Sequence, residues 1–126
     1  MRAIDTNVLV RLLTRDDTAQ VNAAEAFVSR GAWVSHLVLA ETLWVLEFVY
    51  ELGPERLAVA IDMLLQHQSI ALEDADVVAA ALAHFRNQRS VGFSDCLIVE
   101  IARKAGHLPL GTFDRALIRI DGAQRL

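Results

Sequence analysis

The hydrophobic period changes within the first ten residues, and this change constrains the fold more than any other feature. A short apolar run ahead of Asp5 predicts a strand, and from Val8 onward apolar residues recur at helical spacing. Asp5 therefore stands where a strand ends and a helix begins, and in an open α/β sheet ligands bind outside the carboxyl ends of the strands. The alternative interpretation is purely structural, because Asp5, Thr6 and Asn7 are all residue types that cap helices.

Strand-like and helix-like segments alternate along the rest of the chain. A polar break at residues 15–18 ends the first helix, and a chain of 126 residues has the length of one domain. We therefore predict one α/β domain over residues 1–126, with a mostly parallel central sheet of four to five short strands and helices on both faces. The further predicted helices cover about 18–28, 37–52, 54–68, 75 to the polar run 86–89, and 96–105, with Thr18 and Asp74 as the caps of the first and fourth of these. The further strands cover 32–35, 69–72 and 108–111, and a final short helix follows.

Composition and charge set limits on the class of protein. No apolar run is long enough to cross a bilayer and no signal-peptide pattern opens the sequence, so we expect a soluble, cytoplasmic protein with no membrane partner. Cys96 is the single cysteine, which excludes an internal disulfide and fits a reducing compartment. The formal net charge of −4 does not indicate binding of nucleic acid by bulk charge.

Glu41 is a candidate site residue because of its apolar surroundings. The predicted helix over 37–52 is apolar almost all round, and Glu41 points away from the polar stripe formed by Glu47 and Glu51. A carboxylate in an apolar setting is costly without a partner, and its usual partners are a cation or a metal. The alternative is an ordinary salt bridge to an arginine from elsewhere in the chain.

Two further acidic residues lie in comparable positions. Asp95 begins a predicted helix that Ser94 would cap, and it shares the arc of Ile98 and Val99, whereas Glu100, Arg103 and Lys104 share the opposite, solvent-facing side. A favourable interaction with the helix dipole would explain an acid in the first turn, but not one directed at the core. Asp114 follows the last predicted strand and so repeats the placement of Asp5.

Four carboxylates in this arrangement predict a metal site. Asp5 and Asp114 would lie at strand ends, and Glu41 and Asp95 near the starts of helices that follow such ends, so all four can converge at one edge of the sheet. Carboxylates that are close together repel each other, and a hard divalent cation such as Mg²⁺ or Mn²⁺ relieves that repulsion with oxygen ligands. Without a Ser/His pair or a glycine-rich phosphate loop, such a site suits hydrolysis of a phosphodiester by metal-activated water.

Four short motifs resemble those of the PIN domains, and most closely those of the VapC toxins of prokaryotic toxin–antitoxin pairs. The motifs are Ile4-Asp5-Thr6-Asn7, Glu41 within an apolar helix, the segment 93–98 around Asp95, and Thr112-Phe113-Asp114. The resemblance implies a Mg²⁺-dependent endoribonuclease that cleaves RNA, often as a homodimer, and that a small antitoxin holds inactive. Carried over by position, it implies an acidic metal-binding and catalytic site of Asp5, Glu41, Asp95 and Asp114, with Asn7 and Thr112 as supporting polar groups.

Other functional classes remain open at this point. A phosphatase of the haloacid dehalogenase type needs a second Asp two residues after the first, where Asn7 stands, and a receiver-type domain needs a lysine late in the chain, where Lys104 lies on a solvent-facing side. A non-catalytic binding module with the PIN fold is the remaining alternative. Retention of all four acids argues against it, because a module without catalysis does not need them.

Overall fold

The computed structural model describes all 126 residues, which divide into two compact units, Met1–Ala75 and Asp76–Leu126. The first unit begins with a short strand and alternates strands with helices. Its elements are β1 (Arg2–Ala3), α1 (Thr6–Thr14), α2 (Thr18–Val28), β2 (Ala32–Val34), α3 (His36–Phe48), α4 (Pro54–Gln66) and β3 (Ile70–Leu72). The strands form a parallel sheet in the order β1-β2-β3, so their carboxyl ends lie at one edge.

The second unit contains two helices and a separate pair of strands. Its elements are α5 (Ala75–Asn87, whose first residue ends the first unit), α6 (Phe93–Ala105), β4 (Leu110–Thr112), a 3-10 turn (Leu117–Arg119) and β5 (Ala123–Arg125). Strands β4 and β5 pair in parallel, with Leu110 opposite Ala123 and Thr112 opposite Arg125. No helix in the structure has the length and apolar character needed to cross a membrane.

The predicted α/β class and the parallel strand direction are confirmed, but the sheet is smaller than expected. We predicted four to five strands in one sheet, and the structure has three strands in one sheet and two in another. The difference arises at β4, the fourth predicted strand, which pairs with β5 in a separate sheet. Strand β5 was not predicted, because its sequence Ala-Gln-Arg has neither the alternation nor the β-branched residues that indicate a strand. Buried aliphatic side chains fill both units, among them Leu9, Val34, Leu39 and Ile61 in the first and Val78, Val99 and Ile120 in the second.

Two predicted helix caps are wrong by a few residues. Helix α2 has the predicted bounds, but its cap is Asp17 rather than Thr18, and the Asp17 carboxylate accepts a hydrogen bond from the Gln20 amide at 3.0 Å. Helix α6 begins at Phe93, three residues earlier than expected, so that Gly92 and not Ser94 occupies the cap position. The earlier start adds Phe93 to the first turn of α6, while the later residues of the helix keep their angular positions relative to one another.

Candidate acidic site

Asp5 lies two residues after β1, at the carboxyl edge of the three-stranded sheet, and it is the N-cap of α1. Its Oδ1 accepts a hydrogen bond from the Val8 amide at 3.1 Å. The capping interpretation is therefore correct for Asp5, and it uses one of the two carboxylate oxygens. The second oxygen accepts no hydrogen bond from the protein, and the Asp5 side chain is exposed, so Asp5 can cap α1 and bind a ligand at the same time.

Glu41 lies on α3, which begins directly after β2, and its partner is the hydroxyl of Thr6. Thr6 Oγ1 donates a hydrogen bond to Glu41 Oε2 at 2.9 Å, so this contact joins the start of α1 to α3. The expected burial of Glu41 is wrong, because its side chain is exposed. The apolar neighbours that predicted burial are themselves in solvent, since Leu37 is 68% exposed and Trp44 is 59% exposed.

Asn7 lies beside Asp5 at the start of α1, and both line a cleft in the first unit. The cleft has a volume of about 640 Å³, and its apolar wall includes Val8 and Phe27. Asn7 is exposed, and its side chain forms no hydrogen bond with the protein. The structure therefore places the predicted supporting residue next to the predicted acid, with its amide available to a ligand.

Asp95, in the second unit, is the third residue of α6 and is half-buried. The pKa of its carboxyl is raised from the ordinary value of 3.8, first because burial disfavours the charged form and second because the negative charge of Asp114 acts on it. No hydrogen-bond donor or cation counteracts these two effects. Ionisation of Asp95 is therefore less favourable here than in water, and a nearby positive charge would favour it.

Asp114 follows β4 by two residues, as the sequence predicted, and its loop is held by local hydrogen bonds. The Asp114 amide donates to Thr112 Oγ1 at 3.0 Å, and Asp114 Oδ1 accepts from the Ala116 amide at 2.8 Å. The Thr112 hydroxyl thus fixes the backbone at Asp114. Asp114 itself is exposed, and its negative charge contributes to the raised pKa of Asp95.

Cys96 is not a nucleophile in this arrangement. Its side chain is fully buried, and the pKa of the thiol is raised to about 11, mainly by burial and further by the charges of Asp95 and Glu100. A thiol with this pKa is protonated near neutral pH and therefore unreactive. Cys96 is therefore a small packed residue in the core of the second unit.

Glu100 is a buried acid whose burial the sequence pattern was not expected to indicate. We placed it on the solvent-facing side of α6 with Arg103 and Lys104, but it is 6% exposed and is the only charged residue that is buried. It accepts a hydrogen bond from Arg103 Nε at 3.0 Å and contacts His84 Nε2 at 3.1 Å. Glu100 lies at helical spacing from the buried Phe93, Cys96 and Leu97, and this spacing could have revealed its burial.

The predicted acids occur in two local settings. In the first unit Asp5 precedes Thr6, which hydrogen-bonds to Glu41, and in the second unit Asp95 is influenced by the charge of Asp114. Their carboxylate oxygens are the ligand type that Mg²⁺ and Mn²⁺ prefer, and the uncompensated charge at Asp95 fits a cation. The structure has no group of three or more His, Cys, Asp or Glu side chains that could hold a metal ion. Metal binding by the four acids stays a prediction.

Comparison with known proteins places the chain in a family. No curated protein sequence matches it. Among solved structures, it is similar to the Mycobacterium tuberculosis toxin VapC20 (Rv2549c), described as cleaving the sarcin–ricin loop, with 20% identity, 98% of this chain and 97% of that chain covered, and a TM-score of 0.44. The family model of the PIN domain matches residues 3–123, which is almost the whole sequence and spans both units. The chain therefore belongs to the PIN domain family.

Proposed function

We propose that this PIN domain is a Mg²⁺-dependent endoribonuclease and that it acts as the toxin of a toxin–antitoxin pair. The observation that carries the proposal is the Asp95–Asp114 pair, in which a half-buried carboxylate meets a second negative charge and no compensating cation. Such an arrangement costs free energy in the protein alone, and a divalent cation would relieve it. When bound, Mg²⁺ (or Mn²⁺) would supply an activated water and stabilise charge on a phosphodiester.

The proposed roles of the residues follow from their contacts. Asp5 would contribute the carboxylate oxygen that the cap of α1 does not use, and Glu41 would act in the orientation that Thr6 gives it. Asp95 and Asp114 would be the principal metal ligands, because their mutual repulsion is the feature that a cation relieves. Asn7 would offer its amide to the RNA, and Thr112 would hold the backbone at Asp114.

The proposed partners are RNA as substrate, a small cognate antitoxin and a second copy of the chain. The support for a homodimer is an exposed apolar surface on α3, where Leu37, Trp44 and Phe48 are each at least 59% exposed and the Trp44 and Phe48 rings lie 5.2 Å apart. Exposed apolar patches of this kind commonly mark interfaces. Sedimentation that shows only a monomer at tens of micromolar, on the order of ordinary interface affinities, would count against the dimer.

The decisive experiment compares two variants of α3 in an RNA cleavage assay. Glu41→Gln removes the charge of the candidate acid, and Glu47→Gln makes the same change at an exposed glutamate elsewhere on the helix. Single-turnover cleavage in Mg²⁺ should fall by roughly a hundredfold or more for Glu41→Gln, the scale of losing one catalytic group, and should be unchanged for Glu47→Gln. Both variants should melt like the wild type, because both side chains are exposed.

Metal dependence is tested in the same assay. Cleavage by the wild type should stop in EDTA and return when Mg²⁺ is added in excess. Cleavage that persists in EDTA, or that Glu41→Gln leaves at the wild-type rate, would contradict the proposed metal-dependent mechanism. RNA binding without any cleavage would instead identify the chain as a non-catalytic binding module.

A further inference from the structure

Glu100 is a buried carboxylate for which the proposed chemistry has no use. Its Oε2 lies 3.0 Å from Arg103 Nε on the same helix and 3.1 Å from His84 Nε2 on α5. A buried charge is tolerated when it is paired and hydrogen-bonded, and here most of the pairing comes from Arg103, which also contacts Glu100 Oε1 at 3.3 Å. Glu100 therefore holds the Arg103 guanidinium group at its Nε atom.

The other end of the same guanidinium group holds the backbone before β5. Arg103 Nη2 donates a hydrogen bond to the carbonyl oxygen of Asp121. The next residue is Gly122, with a φ of +101°, where an added Cβ would lie 3.0 Å from Arg103 Nη2 and 3.1 Å from a methyl group of Leu108. The left-handed backbone conformation therefore favours glycine here, and Arg103 lies in tight contact with this position.

The two residues that flank β5 in turn hold β4 at both of its ends. The Leu110 amide donates to the Gly122 carbonyl at 2.8 Å at the start of β4, and the Leu126 amide donates to the Thr112 carbonyl at 2.9 Å at its end. Thr112 then accepts the Asp114 amide. Hydrogen bonds, joined by short stretches of backbone, therefore connect the Arg103 guanidinium group to the backbone of Asp114.

Helix α6 carries Asp95 near its first residue and Arg103 near its last, eight residues and about 12 Å apart along one rigid element. We infer that Arg103, held by the buried Glu100, is a positioning residue that fixes Asp114 relative to Asp95 by tying the β4–β5 pair to α6. The inference rests on the proposed function, since it assigns Arg103 to the geometry of that acidic pair. Neither Glu100 nor Arg103 contacts the reacting atoms.

Arg103→Lys tests the inference without removing the charge beside Glu100. A lysine ammonium is a compact group that can pair with Glu100, but it lacks the fork that also reaches the Asp121 carbonyl. The matched control is Lys104→Gln, one residue further along α6, which removes the ion pair between Lys104 and Asp76 at 3.0 Å. We expect kcat for RNA cleavage to fall about tenfold in Arg103→Lys with KM unchanged, and both constants to stay at wild-type values in Lys104→Gln.

Repeating the Arg103→Lys substitution in a protein that already carries Asp114→Asn distinguishes a positioning role of Arg103 from a general effect on stability. If Arg103 acts through Asp114, then Arg103→Lys should have no further effect on cleavage in a protein that already carries Asp114→Asn. A full additional tenfold loss in that background would overturn the inference. So would an equal loss of activity in Lys104→Gln, because that result would mean that any weakening of α6 is sufficient.

Amide hydrogen exchange tests the same connection without RNA or metal. Arg103→Lys should speed exchange at the Leu110, Asp114 and Leu126 amides by at least about tenfold and leave the amides of α5 unchanged, whereas Lys104→Gln should not affect the strand pair. If the wild type cleaves no RNA, the proposed function fails, and the exchange data still decide whether Arg103 holds the strand pair. Unchanged exchange at these three amides would overturn the inference even in an active nuclease.

Discussion

In residues 1–75 both candidate carboxylates accept a hydrogen bond from the chain, whereas in residues 76–126 Asp95 accepts none and meets the charge of Asp114 instead. Asp5 accepts from the Val8 amide and Glu41 from the Thr6 hydroxyl. The pKa of Asp95 is raised by burial and by Asp114. Neutral hydrogen-bond donors orient the carboxylates of Asp5 and Glu41. The carboxylate of Asp95 has no such donor, and a cation would offset the electrostatic cost of its charge. We therefore expect metal affinity to depend most on Asp95 and Asp114.

The largest effects should come from the second unit. Asp95→Asn combined with Asp114→Asn should abolish the binding of Mn²⁺ measured by isothermal titration calorimetry, and each single variant should lower RNA cleavage by roughly a hundredfold or more. The control is Asp76→Asn, an acid of the same unit that is already paired with Lys104, and it should bind Mn²⁺ normally. Normal Mn²⁺ binding by the double variant would remove the metal site from this unit.

The next prediction compares two acids that cap helices in the same way. Asp5 and Asp17 each accept a backbone hydrogen bond three residues ahead, at 3.1 and 3.0 Å. Asp5→Asn should lower cleavage by roughly a hundredfold with little change in stability, because asparagine caps as well as aspartate, and Asp17→Asn should leave cleavage unchanged. Asp5→Ala should lose the same activity and also about 1 kcal/mol of stability in urea unfolding. Equal cleavage by Asp5→Asn and Asp17→Asn would make Asp5 a cap and nothing more.

The raised pKa of Asp95 predicts a pH dependence of stability in the metal-free protein. Because the pKa in the folded state exceeds the ordinary value of 3.8, the contribution of Asp95 is fully present below that value and is lost as pH rises through the folded-state pKa. In EDTA, the free energy of unfolding of the wild type should therefore fall over this interval relative to that of Asp95→Asn. Parallel curves for the two proteins would show that Asp95 is not perturbed.

The comparison also shows which parts of the molecule the sequence could predict. Local rules were sufficient where one residue and its neighbours decide the outcome: the change of period at Asp5, the bounds of α2, and the position of Asp114 after a strand were all recovered. The burial of individual side chains could not be predicted in this way, because it depends on which other elements cover each face of a helix. Glu41 was predicted buried and is exposed, and Glu100 was predicted exposed and is buried.

The two misplaced glutamates have separate physical causes. Around Glu41 the sequence is apolar, but α3 leaves Leu37, Trp44 and Phe48 in solvent, so apolar composition did not mean burial. Around Glu100 the error came from grouping it by charge with Arg103 and Lys104, although it lies one helical turn after the buried Cys96 and Leu97. The pairing of Glu100 with His84 joins two helices, and no pattern within a single helix could predict it.

The smallest expected effect tests whether Thr6 orients Glu41. Thr6→Val keeps the shape of the side chain and removes the hydroxyl that donates to Glu41 Oε2. Since this is a single exposed hydrogen bond, we expect a loss of stability of about 0.5 kcal/mol and a fall in cleavage of roughly three- to tenfold. Thr6→Ser restores the donor and should restore most of the activity. In a Glu41→Gln background the Thr6→Val change should add nothing, because the residue through which it acts is already inactive. If Thr6→Ser is as impaired as Thr6→Val, the hydroxyl is irrelevant, and the orientation of Glu41 has to come from a bound ligand rather than from the chain.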